Sequence, residues 1–285
     1  MTDAWVPYPL KESPTALTVE RSGAVARVTL VGPGRGNAMG PDFWRETPLV
    51  FEALDADDEI RAVVVTGANG VFSYGLDLPA FAPTLGAVLA DADGGLAGAR
   101  TRFLGDLRRM QASLNAVADC RKPVAAAVSG WCIGGGVDLV AACDVRYAGA
   151  DARFSVREVK VAIVADLGSL QRLAGIIGEG HLRELAYTGK DIDAARAEKI
   201  GLVNDVHPDQ AAVLAAARGL AAEIAANPPL VVQGVKDVLG HRREQDVADG
   251  LRYVSAWNAA FLPSEDLGEA AQAFLERRAP EFRGK

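Results

Sequence analysis

Three carboxylic acids lie in stretches of chain where a carboxylate is costly. Asp138 follows the run Cys132-Ile133-Gly134-Gly135-Gly136-Val137, Glu158 follows Phe154-Ser155-Val156-Arg157, and Asp166 ends the apolar run Val161-Ala162-Ile163-Val164-Ala165. An acid in apolar surroundings loses its hydration, so it is either neutralised by a partner or kept for proton exchange. Arg157 and Arg172 are the candidate partners for Glu158 and Asp166, and Asp138 in a first helical turn would complement the helix dipole. The alternative is that burial raises these carboxyl pKa values toward neutrality, where a general acid or base works best.

Two glycine turns offer backbone donors. In Phe72-Ser73-Tyr74-Gly75-Leu76-Asp77-Leu78, Gly75 permits a sharp turn that aims the Leu76 N–H into a cleft. Gly134-Gly135-Gly136 stands between a strand and a helix, where N–H groups attract negative charge. One N–H from each turn would make an oxyanion hole for an enolate. Ordinary close packing of backbone is the competing explanation of both turns.

These groups need a scaffold, and the pattern supplies one. Residues 17–20 and 25–31 read as strands, followed by the glycine-rich turn Gly32-Pro33-Gly34-Arg35-Gly36. A helix is expected over 41–54, with Pro41 at its start, where a missing N–H costs little. Residues 61–66 and 123–129 are apolar enough to be buried strands, with a loop over 67–75 and a helix over 101–117 between them. The Pro-, Gly- and Ala-mixed stretch 78–99 predicts no element. A short helix is expected at 137–142, then strands at 144–148 and 153–155. Segments 209–226, 230–239, 244–261 and 264–277 are amphipathic helices. Alternating strands and helices imply a layered α/β core over residues 1–205, with residues 206–285 as a helical subdomain.

Composition narrows the classes. The net charge of −7 argues against a nucleic-acid groove. Cys120, Cys132 and Cys143 form no CxxC pair and have no histidine cluster beside them, which points to buried reduced thiols, no metal site and a cytoplasmic setting. Neither a signal-peptide core nor a membrane-length apolar run is present, and Phe282-Arg283-Gly284-Lys285 is no peroxisomal signal. Gly32, Gly34 and Gly36 do not make a GxGxxG fingerprint, and there is no P-loop. A GxSxG elbow is also missing, and His181, His207 and His241 sit in polar or loop contexts expected at the surface.

Taken together, Asn37-Ala38-Met39, the segments 72–78 and 130–138, and Gln171-Arg172-Leu173 resemble the enoyl-CoA hydratase/isomerase (crotonase) superfamily. The resemblance covers nearly the whole chain and is weakest between residues 79 and 100. Within the superfamily, Cys132 through Leu139, Cys143-Asp144-Val145-Arg146-Tyr147, Ala165-Asp166-Leu167-Gly168, Val232-Gln233-Gly234-Val235-Lys236 and Trp257-Asn258 are similar to the dienoyl-CoA isomerase branch. The resemblance implies a spiral of ββα units with a C-terminal helical subdomain that assembles trimers or dimers of trimers. It implies an acyl-CoA thioester as substrate in fatty-acid β-oxidation, with coenzyme A as part of that substrate and no separate cofactor. Oxyanion-hole donors at Leu76 and Gly135 and an acidic trio at Asp138, Glu158 and Asp166 follow from it. Arg35, Ala38 and Lys236, the last from a neighbouring subunit, are the expected CoA contacts. Lys160, Gly36 and Ala162 depart from the branch, which has an acid, a basic residue and a glycine there.

Moving two conjugated double bonds removes a proton at C2 of the acyl chain and returns one at C6. The two carbons are too far apart for one carboxyl to serve both. Glu158 is therefore assigned to C2 and a protonated Asp166 to C6, with Asp138 orienting or stabilising. The division between Glu158 and Asp138 stays open. The superfamily's hydratases carry Glu at both of those positions and usually glycine at that of Asp166, so a hydratase is the runner-up. A non-catalytic acyl-CoA-binding protein is the other alternative, disfavoured because unused buried carboxylates cost stability.

Overall fold

The computed structural model describes residues 4–32, 35–90 and 96–284. Pro33 and Gly34 of the glycine-rich turn, and Lys285 at the C-terminus, lie outside the described residues. The elements run β1 (Val6–Pro7), β2 (Leu17–Ser22), β3 (Val25–Leu30), α1 (Pro41–Ala56), β4 (Ala62–Gly67), α2 (Leu78–Ala90), α3 (Leu96–Asp119), β5 (Val124–Val128) and β6 (Trp131–Ile133). Then come α4 (Gly135–Ala142), β7 (Val145–Gly149), β8 (Arg153–Ser155), a 3-10 turn (Glu158–Val161), α5 (Ser169–Ile177), α6 (Glu179–Thr188), β9 (Ile192–Asp193) and α7 (Ala194–Lys199). The chain ends with β10 (Asp205–His207), α8 (Gln210–Ala225), α9 (Pro229–Phe261) and α10 (Glu265–Glu276).

The main sheet has the order β1-β2-β3-β4-β5-β7-β10. It is antiparallel from β1 to β3 and parallel from β3 onward. Every residue of β4 and β5 is buried, as expected for parallel strands covered on both faces. Alternation sorts their side chains. Val63, Val65, Ala126 and Val128 face the main core, while Ala62, Val64 and Ala127 meet the stripe Val213, Ala217, Ala221 and Ala225 of α8. The α/β class expected from the sequence is therefore the class observed, and α8 closes one face of the core sheet. A second sheet, β6-β8-β9, stands beside the site.

Two stretches differ from expectation. The unassigned segment 78–99 contains α2 and the start of α3, with residues 91–95 outside the described residues. Pro79 sits in the first turn of α2, and the helix runs through Pro83, so the proline that argued against a helix is tolerated within it. In the tail, segments 230–239 and 244–261 are one helix, α9, because Gly240 between them costs a helix interior only about 1 kcal/mol. Strands β1, β6, β9 and β10 are two or three residues long, too short to leave a period.

Candidate active site

The two glycine turns lie side by side. Ser73 N donates to Trp131 O at 2.9 Å and Ile133 N to Ser73 O at 3.0 Å, so the 73–77 loop pairs with β6 on one edge. On its other edge Met39 N donates to Gly75 O at 2.8 Å and Asp77 N to Met39 O at 3.1 Å. The loop is anchored by Asn37, whose Nδ2 donates to Val71 O at 2.7 Å and Ala68 O at 3.0 Å. Leu76 N falls between the two ladders and, among the described residues, donates to no backbone carbonyl. Gly135 is the first residue of α4, and its N–H is one of the groups that a helix start leaves free.

Backbone conformation makes this arrangement possible. Gly75 has φ of 80°, and a Cβ there would lie 2.6 Å from Ile133 O and 3.0 Å from Gly135 N. Gly134 has φ of 52° and ψ of −117°, a turn that other residues resist, and it frees the Gly135 N–H to face the cleft. A Cβ on Gly135 would sit 3.7 Å from Leu76 N, so the two donor turns lie against one another.

The turns meet at the wall of a cavity of about 990 Å³. Its lining is largely apolar and includes Leu78, Phe81, Phe103, Ile133, Ile163 and Leu167. Leu76 and Gly135 line it, and so do Glu158 and Asp166. Glu158 opens the 3-10 turn after β8, and Asp166 lies in the loop that leads from that turn into α5. Both are half-buried, and their open side is the cavity. Asp138, by contrast, is buried behind the wall and not among the lining residues. Its Oδ1 accepts the N–H of Ser169 at the start of α5, while its Oδ2 is buried without a partner.

Both candidate arginines have other partners. Arg157 pairs with Asp191 and lies over the Trp131 ring, and Arg172 donates to Asn115 Oδ1 and to Leu167 O. Glu158 Oε2 is buried with no hydrogen-bond partner. Burial pushes the Glu158 carboxyl up to about 8, reinforced by the negative charges of Asp138 and Asp166. Burial also lifts Asp166 to about 7, against the opposing pull of a hydrogen bond from Asn258. Asp138 rises as well, again by burial, but the Ser169 N–H and the Arg172 charge hold it back.

A raised carboxyl pKa is also a statement about stability. The folded Glu158 holds its proton to higher pH than the unfolded chain does, so its contribution is complete at pH 4 and is lost as pH rises through about 8. Glu158→Gln removes that loss. The variant is expected to melt about 5 °C above the wild type at pH 9 and level with it at pH 4–5, read by scanning fluorimetry. An equal pH dependence of the two melting curves would show that Glu158 is not buried as described.

The remaining candidates divide. Arg35 and Ala38 line the cavity. Lys236 does not: its Nζ lies 2.7 Å from Asp144 Oδ2 and donates to Lys122 O at 3.2 Å, so a phosphate would have to compete with Asp144 for it. Lys160 is exposed and lies over Gly189, away from Glu158 and off the cavity wall. At Gly36 a Cβ would strike the Tyr74 ring, which explains why a larger residue is missing there. Ala162 adopts φ of 57° as it caps the 3-10 turn, a conformation that suits the glycine more usual at this point.

Sequence reasoning assigned no role to Asn258, Gln111 or Ser169, yet each touches an acid or its backbone. Asn258 Nδ2 donates to Asp166 Oδ2 at 2.6 Å, and Gln111 Nε2 donates to Asp166 O at 2.7 Å. Asn258 does leave a trace in the sequence. It continues the buried stripe Val247, Leu251, Val254 of α9 as a polar residue on an apolar face.

Comparison with known proteins finds relatives over nearly the whole chain. The profile of the Enoyl-CoA hydratase/isomerase family matches residues 20–285. A mitochondrial Delta(3,5)-Delta(2,4)-dienoyl-CoA isomerase of Dictyostelium discoideum is 43% identical over 259 residues, covering 91% of this chain and 87% of the relative. A peroxisomal enzyme of the same name from Arabidopsis thaliana is 40% identical, covering 88% and 89%. Among solved structures, an enoyl-CoA hydratase/isomerase from Mycobacterium paratuberculosis superposes with a TM-score of 0.79 at 31% identity, covering 92% of this chain and 99% of that one.

Proposed function

The chain belongs to the enoyl-CoA hydratase/isomerase family and is an isomerase of it, and from that premise we propose that it converts 3,5-dienoyl-CoA to 2,4-dienoyl-CoA in fatty-acid β-oxidation. One observation carries the substrate reading: two carboxyls with raised pKa values line the same apolar cavity as two backbone N–H groups from adjacent turns.

In the proposed reaction the thioester oxygen accepts hydrogen bonds from Leu76 N–H and Gly135 N–H. Glu158, in its ionised form, takes a proton from C2. The C–H electrons shift along the chain, leaving a dienolate whose charge runs from the thioester oxygen to C6. Asp166, in its protonated form, gives its proton to C6, and the 2,4-diene is complete. Glu158 ends protonated and Asp166 ionised, so proton exchange between them or with water resets the site. Asp138 lies behind the wall, which favours Glu158 as the group that meets C2. Its charge then acts on Glu158 rather than on substrate. The oxyanion donors contribute on the order of 3–4 kcal/mol each to the barrier in such sites.

The productive state needs Glu158 ionised while Asp166 is still protonated. Burial raises Glu158 to about 8 and Asp166 to about 7, so that state is the less populated of the two singly protonated forms, and its share is greatest between pH 7 and 8. The purified protein is therefore expected to generate the 2,4-dienoyl chromophore from 3,5-dienoyl-CoA, with a bell-shaped pH profile centred between pH 7 and 8. No oxygen from labelled water should enter the product. Turnover of 2-enoyl-CoA with water uptake, and none of the diene, would make the chain a hydratase; binding without turnover would make it a non-catalytic acyl-CoA-binding protein.

A homotrimer or a dimer of trimers is part of the same reading. It is supported by large apolar side chains left exposed on α9 and α10, among them Leu230, Val238, Leu239, Phe274 and Leu275. Under this reading residues 206–285 serve assembly in addition to closing the core. The reading also puts the protein in the cytoplasm, in keeping with its three free, buried cysteines, although the two relatives above are named mitochondrial and peroxisomal. Among the described residues no helix is long and apolar enough to cross a membrane.

A further inference from the structure

We propose that Asn258, on α9, is the positioning residue for Asp166, fixing which carboxyl oxygen exchanges a proton with substrate. The inference rests on the isomerase reading above. Asn258 and its neighbour Ser255 are each 1% exposed, and Gln111 on α3 is 6% exposed. Buried amides of this kind persist when they are hydrogen-bonded, and both amide nitrogens are. Asn258 Nδ2 donates to Val164 O at 2.8 Å and to Asp166 Oδ2 at 2.6 Å. Gln111 Nε2 donates to Asp166 O at 2.7 Å and to Ser255 Oγ at 2.9 Å, and Ser255 Oγ donates to Leu251 O at 2.7 Å. Helices α3 and α9 thus hold the short loop that carries Asp166 at both its backbone and its side chain.

The identity of the donor follows from Val164. A carbonyl oxygen only accepts, so the Asn258 atom that meets it is the amide nitrogen. That same nitrogen meets Asp166 Oδ2, which must therefore accept. The proton of the neutral acid is confined to Oδ1, and one oxygen is left to serve C6. Asn258 also favours the ionised form of Asp166 and so moderates the effect of burial. The titratable and charged groups around Asp166 are Asp138 from α4, Glu158 from the 3-10 turn and Arg172 from α5. The charge of Asp138 opposes its ionisation, Arg172 favours the ionised form of Asp138, and Asn258 gives the Asp166 carboxylate a side-chain hydrogen bond that favours it.

The test is a pH–rate profile of the full-length enzyme with 3,5-dienoyl-CoA for Asn258→Ala and Asn258→Leu, beside wild type. Loss of the donor lets the Asp166 pKa rise and frees the carboxyl to rotate. The expected result is a fall in kcat of about 10- to 100-fold, as for other groups that orient a reacting side chain, with KM little changed. The optimum should also move upward, since it lies midway between the two titrations and one of them has risen. Asn258→Leu keeps nearly the size of the side chain and adds no titrating group, so it carries the test if the alanine variant does not fold. A folded variant whose kcat falls without any shift of the optimum would overturn the proposal, because a merely structural role lowers activity and leaves the titrations alone. A folded variant as active as wild type would overturn it as well. Failure of the isomerase reading looks different: wild type itself would not turn the diene over.

Discussion

Asp166→Asn is expected to lower isomerisation of 3,5-dienoyl-CoA by about 10²- to 10⁴-fold, the usual worth of a positioned proton donor, while exchange of the C2 hydrogen with solvent continues. The substitution keeps the shape of the side chain, and its amide oxygen can still accept the Asn258 N–H. What it removes is the proton for C6. Glu158 and the two backbone donors are untouched, so the dienolate still forms and returns to substrate. In deuterated water the recovered 3,5-dienoyl-CoA should carry deuterium at C2, read by mass spectrometry. Glu158→Gln is the counterpart: it stops removal of the C2 proton, so exchange and isomerisation fall together. If both variants lose C2 exchange equally, the two acids do not serve separate ends of the diene, and the assignment fails. If Asp166→Asn keeps more than about a third of wild-type turnover, C6 receives its proton from another group.

Some of this was readable in the chain and some was not, for physical reasons. The buried strands β4 and β5 and the glycine turns are local features. An unbroken apolar run or a triple glycine carries its meaning within a few residues, and Leu76, Gly135, Glu158 and Asp166 all line the cavity accordingly. What could not be read is who stands next to the acids. Arg157 looked like a partner for Glu158 because it is adjacent in sequence, yet its guanidinium turns to Asp191 and Trp131. The contact that Asp166 does make, with Asn258, spans 92 residues and depends on how α9 packs on α5 and α3. Helix α2 was missed for a different reason: its apolar residues do not confine themselves to a stripe, because one side packs on α3 and Leu78 and Phe81 face the cavity. A helix that builds a binding wall lacks the polar face that makes a surface helix legible.

The oxyanion hole predicts the second large effect. Gly75→Ala should reduce kcat by about 10²- to 10³-fold, comparable to removing one oxyanion donor. Three features of the turn converge on this result. The position has φ of 80°, which costs an alanine on the order of 1 kcal/mol or more; the new Cβ would lie 2.6 Å from Ile133 O; and it would lie 3.0 Å from Gly135 N. The loop can relieve those contacts only by moving off β6, and Leu76 N–H moves with it. Gly219→Ala is the matching control. Gly219 is an exposed residue of α8 with nothing within 4 Å of the added methyl, so that variant should keep full activity and gain slightly in stability. The three lesions then separate by what they do to C2 exchange. Loss of the donor raises the energy of the dienolate itself, so Gly75→Ala should slow exchange and isomerisation alike, as Glu158→Gln does but Asp166→Asn does not. It should differ from Glu158→Gln in leaving the pH optimum unmoved, since no titrating group is removed. A folded Gly75→Ala enzyme within about threefold of wild-type kcat would mean that the Leu76 N–H does not hold the thioester oxygen, and the charge of the intermediate would need another home.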